Sequence, residues 1–228
     1  MSSLSAVRIA AKVQPAEQSL IIFHGLGDSG SGWSFLAEYL QRDPAFAQTK
    51  FIFPNSPNIP ITVNGGTTMP GWFDILDWNL KSSNVDSPGF LKSLKSVENF
   101  VKEEIDEGMD PSNIIVGGFS QGAALALASS VTLPVKIGGF ISLSGFCPTP
   151  TVINEIKNEF NISTPLFHGH GDCDPIVSYL IGKDAQEFYT KECNLQNYSF
   201  HKYTGLDHST SPEEIADLVK FIRKTLKL

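Results

Sequence analysis

Cysteine is scarce in this 228-residue chain: Cys147, Cys173 and Cys193 are odd in number, widely spaced and never in a C-x-x-C pair. That usage argues against a disulfide framework and predicts reduced thiols in an intracellular compartment. An excess of basic residues is missing too. The net charge is -7 and no Lys/Arg cluster occurs, which removes nucleic acid and anionic membranes as expected partners. No apolar run approaches the ~18 residues of a membrane span. The opening "MSSLSAVRIAAKV" has cations but no continuous apolar stretch, so it does not read as a secretory signal. Repeats and low-complexity linkers are absent as well. With 41% hydrophobic and 18% charged residues, a single folded domain over 1–228 is expected.

What is present alternates. Val7, Ile9, Ala11 and Val13 alternate with polar neighbours as an edge strand would. "SLIIFH" (19–24), "FIFP" (51–54), "NIIVGG" (113–118), "IGGFISLSG" (137–145), "TPLFHGH" (164–170) and "YSFHKY" (198–203) read as strands. Helical patterns separate them: "GWSFLAEYLQR", a long helix capped by Ser87 and ended by Gly108, segments near 121–130 and 150–159, then 179–192 and the last eighteen residues. Strands and helices in this order predict a mostly parallel central sheet with helices on both faces. In such sheets, sites form at the carboxyl ends of strands.

One junction carries chemistry. In "GGFSQGAALAL", Gly118-Phe119-Ser120-Gln121-Gly122 fits G-x-S-x-G between a strand and a helix. The glycines leave room where a Cβ would clash, and the Ser hydroxyl is thrown above the sheet near a helix N-terminus. There the Gln121 amide can face a developing oxyanion. The bare motif is weak, since a glycine-rich packing turn looks the same; its strand-then-helix context favours a nucleophile. A serine needs a base and an orienting acid. His208, in the polar loop "TGLDHSTSPEE" before the final helix, suits the base. The acid belongs in "HGHGDCDPIV" (168–177), where Asp172 and Asp174 compete; Asp174, preceding Pro175, is the stronger candidate. Gly25 and Gly27 in "FHGLGDSGSGW" let the loop turn inward and present the Leu26 amide as a second oxyanion donor. A phosphate loop is the rival there, but the Walker lysine is missing.

The run His168-Gly169-His170-Gly171-Asp172 also imitates a metal cluster. Strand alternation puts both histidines on one face while Asp172 falls on the loop, and no partner histidine has a comparable context. No metal is expected.

Taken together, "HGLGDSG", "MPGWFDI" (69–75), "GGFSQGAALAL" and "HGDCDPIV" resemble the acyl-protein thioesterases, in the phospholipase/carboxylesterase branch of the α/β-hydrolases, from about Ser19 to the C-terminus. The resemblance implies an α/β-hydrolase fold with Ser120 as nucleophile, Asp174 as acid, His208 as base, and Leu26 and Gln121 as oxyanion-hole residues. It implies thioester cleavage between palmitoyl groups and protein cysteines, with lysophospholipids or small esters as alternative substrates. It also implies no cofactor, membrane contact that is transient at most, and a cytoplasmic location that extends to the nucleus; the oligomeric state stays open, a weak homodimer being one form. A ligand receptor without catalysis on the same fold is the reading from another class. Asp207, directly before His208, departs from the family pattern, in which an apolar residue is common; a carboxylate there would favour the imidazolium. The aromatic segment 59–80 lacks strand or helix periodicity. Trp72, Phe73 and Leu76 within it are candidates to line an acyl channel, with core packing as the plainer alternative.

Overall fold

A computed structural model describes residues 4–79 and 85–228. Leu80, the last apolar residue of the aromatic segment, lies outside the described residues, as do Met1 to Ser3.

Among the described residues nine strands form: β1 (Ala6–Ile9), β2 (Gln18–Phe23), β3 (Thr49–Pro54), β4 (Asn58–Ile61), β5 (Thr67–Pro70), β6 (Ile114–Phe119), β7 (Gly139–Leu143), β8 (Leu166–Gly171) and β9 (Tyr198–Tyr203). Seven build one sheet in the order β1-β3-β2-β6-β7-β8-β9, antiparallel only at β1. The helices are α1 (Gly30–Trp33), α2 (Phe35–Leu40), α3 (Ser87–Asp106), α4 (Gln121–Thr132), α5 (Pro150–Ile156), α6 (Tyr179–Glu187) and α7 (Pro212–Leu226).

Because side chains alternate across a strand, each buried strand feeds two cores. Ile21, Phe23, Val116 and Phe140 pack with α3 and α4 on one face. Leu20, Ile22, Ile115, Ile141 and Phe167 pack with α1, α2 and α7 on the other. The Ala/Leu run of α4 is buried from Gln121 to Val131, so its smooth apolar surface lies directly on β6 and β7. In contrast, α3 buries only one stripe, through Phe90, Leu94, Val97 and Val101.

Four details differ from the sequence reading. The helix expected over residues 32–42 is two short ones, which meet at Ser34 and end at Leu40. The cap of α3 is Asp86, whose carboxylate accepts from the Gly89 amide, rather than Ser87, which is already helical. The first strand stops at Ile9, short of Ala11 and Val13. The segment 59–80, expected to lack regular structure, opens with a β4–β5 hairpin, paired from Asn58↔Pro70 to Ile61↔Thr67. Two prolines and a Gly65-Gly66 turn hide that hairpin from any periodicity.

Candidate active site

The sheet's carboxyl edge collects the chemistry. At the end of β6 the backbone of Ser120 sits at φ 53, ψ -114, a strained conformation for a residue with a side chain. Neighbouring backbone leaves no choice about the flanking glycines. A Cβ on Gly118 would stand 2.3 Å from the Gly122 carbonyl carbon, and one on Gly122 would stand 2.0 Å from the Phe23 carbonyl oxygen. The Ser120 amide is anchored to the Leu143 carbonyl at 2.9 Å, so the turn is clamped between β2 and β7.

The three expected side chains meet there. Ser120 Oγ lies 2.9 Å from His208 Nε2, and His208 Nδ1 lies 2.7 Å from Asp174 Oδ2. The other Asp174 oxygen accepts the amides of Ile176 and Val177, both at 2.9 Å. Burial pushes the Asp174 carboxyl up, but the His208 hydrogen bond and charge and these amides outweigh it and hold the pKa below the usual range. Asp172, its rival, instead accepts from the Gly205 amide and pairs with Lys202 on the surface. Asp207 is exposed and accepts from the Ser209 hydroxyl; both ring nitrogens of His208 are engaged elsewhere, by Ser120 and Asp174. The ring of Phe119 lies 4.8 Å from that of His208 and rests in turn on Trp33.

The loop after β2 reaches over the serine. A Cβ on Gly25 would stand 3.2 Å from Phe119 Cδ1 and 3.4 Å from the Ser120 Cβ, so this loop runs close against the elbow. Its shape is fixed by His24, a role the sequence did not reveal. Nδ1 of His24 donates to the Gly25 carbonyl at 2.7 Å, and Nε2 accepts the Ser56 amide at 3.1 Å. Burial lowers the His24 pKa, which favours the neutral ring that this donor–acceptor pair requires. Gln121 does more than offer an amide: its side chain accepts from Trp72 N and donates to the Phe73 carbonyl, fastening the aromatic segment to the start of α4.

A cleft of about 240 Å³ opens on Ser120 and His208, lined by Leu26, Ile75, Trp78, Phe146, Ile176 and Val177. The aromatic segment contributes to it, but not through the residues expected. Trp72 is buried in the core edge-on to Phe23, with its indole N–H donated to the His24 carbonyl. Phe73 packs between Phe90 and Phe146, and Leu76 lies in the adjoining groove toward α3. Ile75 and Trp78 occupy the cleft wall, since Asp74 is tied to Thr62 and Asp86 and so sets which side chains face inward. Leu26 and Gln121 line the cleft beside the serine. His168 and His170 bond to each other, and among the described residues no His/Cys/Asp/Glu group is arranged to hold a metal ion.

A serine on a strand–turn–helix elbow, an aspartate after β8 and a histidine before the last helix, joined by hydrogen bonds over a mostly parallel sheet, are the arrangement of an α/β-hydrolase. Residues 4–226 match the phospholipase/carboxylesterase family model, and the chain belongs to that family. It is 57% identical over 225 residues to acyl-protein thioesterase 1 of Saccharomyces cerevisiae, covering 98% of this chain and 99% of that one. Its identity to the protein of the same name in Kluyveromyces lactis is 56%, covering 99% of each. The crystal structure of Arabidopsis thaliana SOBER1 superposes with a TM-score of 0.86 at 32% identity, over 92% of this chain and all of that one.

Proposed function

We propose that this chain is a serine hydrolase that releases palmitoyl and other long-chain acyl groups from protein cysteines. The observation that carries the reading is the unbroken line from Asp174 through His208 to the Ser120 hydroxyl at the floor of an apolar cleft. The names of the fungal relatives support the substrate.

In the first half-reaction, His208 Nε2 takes the Ser120 proton as Oγ attacks the thioester carbonyl. The Leu26 and Gln121 amides receive the oxyanion, aided by the α4 N-terminus. Collapse breaks the C–S bond, and the imidazolium returns its proton to the departing sulfur. A thiol with a pKa of about 8.5 needs less help in leaving than an alkoxide does. In the second half, His208 deprotonates a water that attacks the acyl-serine, releasing fatty acid and restoring Ser120. Asp174 holds the ring with Nδ1–H toward it throughout, which keeps Nε2 free to accept. No step calls for a cofactor.

We further place the enzyme in the cytoplasm, with the nucleus as a second compartment, a reading supported by three cysteines that are all free thiols. The test is hydrolysis of an S-palmitoylated peptide by the wild type and Ser120→Ala side by side; palmitate release that persists in Ser120→Ala refutes the reading. The family description, phospholipase/carboxylesterase, favours one alternative, ester hydrolysis, for which a lysophospholipid is the substrate to test. A higher kcat/KM on lysophosphatidylcholine than on the peptide would establish it.

A further inference from the structure

The two histidines that imitate a metal site do something else. On β8, His168 and His170 point to the same face, and β9 lays Tyr198 beside them. The Tyr198 hydroxyl lies 2.5 Å from His168 Nδ1, His168 Nε2 lies 3.2 Å from His170 Nδ1, and His170 Nε2 lies 2.7 Å from the Val177 carbonyl. The last contact sets the direction of all the others. A carbonyl only accepts, so His170 must carry its proton on Nε2. A neutral His170 then accepts at Nδ1, which requires the proton of His168 to be on Nε2. His168 in turn accepts at Nδ1, and Tyr198 must donate. Burial lowers the pKa of both histidines and raises that of Tyr198, the direction that keeps every member of the row in its neutral form.

The far end of this row is the catalytic turn. Val177 accepts from His170 through its carbonyl and donates its amide to Asp174 Oδ1 at 2.9 Å. One residue therefore joins the buried row to the acid, whose other oxygen holds His208. His170 Nε2 itself stands 3.8 Å from Asp174 Oδ2, too far for a hydrogen bond. α6 backs onto the ring so closely that a Cβ on Gly182 would lie 2.4 Å from His170 Nδ1. The ring is fixed from behind while its N–H faces the turn.

We propose that Tyr198, His168 and His170 are positioning residues for the hydrolysis, a directed hydrogen-bond row that holds the 174–177 turn and thereby aims Asp174 at His208. The proposal rests on the assignment of Ser120, His208 and Asp174 as the reacting set. Histidine rather than glutamine or an apolar residue suits position 170 because one rigid ring offers a donor at one end and an acceptor at the other.

The experiment compares wild type, His170→Phe, His170→Gln and Tyr198→Phe on S-palmitoylated peptide and on a small ester, with melting temperatures measured in parallel. Phenylalanine fills the ring's space without its N–H. His170→Phe should lower kcat by roughly 10- to 100-fold, the cost of a small misplacement of catalytic groups, with KM little changed. His170→Gln supplies both a donor and an acceptor and should recover most of that loss. A folded His170→Phe with wild-type kcat overturns the proposal, and so does a His170→Gln that melts normally yet works no better. Should phenylalanine at 170 prevent folding, Tyr198→Phe decides: reduced kcat at unchanged KM and melting temperature supports the row, and wild-type kcat overturns it. A wild type that cleaves the small ester through Ser120 but releases no palmitate refutes the substrate assignment and leaves this comparison intact on the ester.

Discussion

His208 Nδ1 meets Asp174 Oδ2 at 2.7 Å across 34 residues of chain, while the opposite nitrogen of the same ring reaches Ser120. That single ring orientation is what Asp174 secures. Asp174→Asn keeps an oxygen for the Ile176 and Val177 amides but turns an N–H₂ toward Nδ1, forcing the proton onto Nε2. The ring then has no lone pair for Ser120. Activity should fall about 10⁴-fold with the fold unchanged, as judged by esterase rate and thermal melting. A loss under tenfold would remove Asp174 from the mechanism.

Gly122 lies against the backbone at the end of β2. A Cβ there would meet the Phe23 carbonyl oxygen at 2.0 Å and the His24 carbonyl oxygen at 2.8 Å, both backbone atoms that cannot swing aside. Gly122→Ala should therefore fail to accumulate as folded protein, whereas Gly65→Ala, in open space at φ 64, should cost no more than about 2 kcal/mol in denaturant unfolding. The two variants contrast steric exclusion with backbone strain.

The motif-bearing residues were legible in the sequence because each lies at a junction where local chemistry is unusual: Gly-x-Ser-x-Gly before an alanine run, a histidine in a polar loop before a capped helix. The mostly parallel sheet and its layering followed from alternation of buried strands with helices, whereas the strand order did not. What stayed hidden is decided by distant partners. His24 looks like any strand-end histidine until Ser56 and Trp72 are placed beside it. The His168–His170 row reads as a metal motif in one dimension, and only Tyr198 and Val177 reveal its purpose. Likewise, the β4–β5 hairpin carries no alternation that a window could detect, since its register comes from the turn between its strands.

Glu214 makes the stability of the fold depend on pH. It is fully buried in the first turn of α7, against Gly169 of β8, and burial pushes its carboxyl up to about 8. The folded state thus binds this proton more tightly than the unfolded chain, whose Glu titrates near 4.3. The stabilisation is complete below the unfolded value, and each pH unit from there up to about 8 removes roughly 1.4 kcal/mol. Glu214→Gln cannot ionise. Its melting temperature should exceed that of the wild type at pH 9 and the difference should shrink toward zero near pH 4. A constant difference across that range would refute the assignment.

Two tryptophans six residues apart should fail in different ways. Trp72 is in the core, with its N–H on the His24 carbonyl, while Trp78 stands half-exposed at the cleft wall. Trp72→Ala should cost about 3–5 kcal/mol of stability whatever the substrate, because it opens a cavity beneath the loop after β2. Trp78→Ala leaves the core intact and removes apolar surface only where a chain would lie. Its melting temperature should match the wild type, and KM for a palmitoyl substrate should rise up to about tenfold, a loss of about 1.4 kcal/mol, while KM for an acetyl ester stays put. An equal effect on both substrates would mean that long chains leave the serine by another route, and the groove beside Leu76 toward α3 would then be the place to probe.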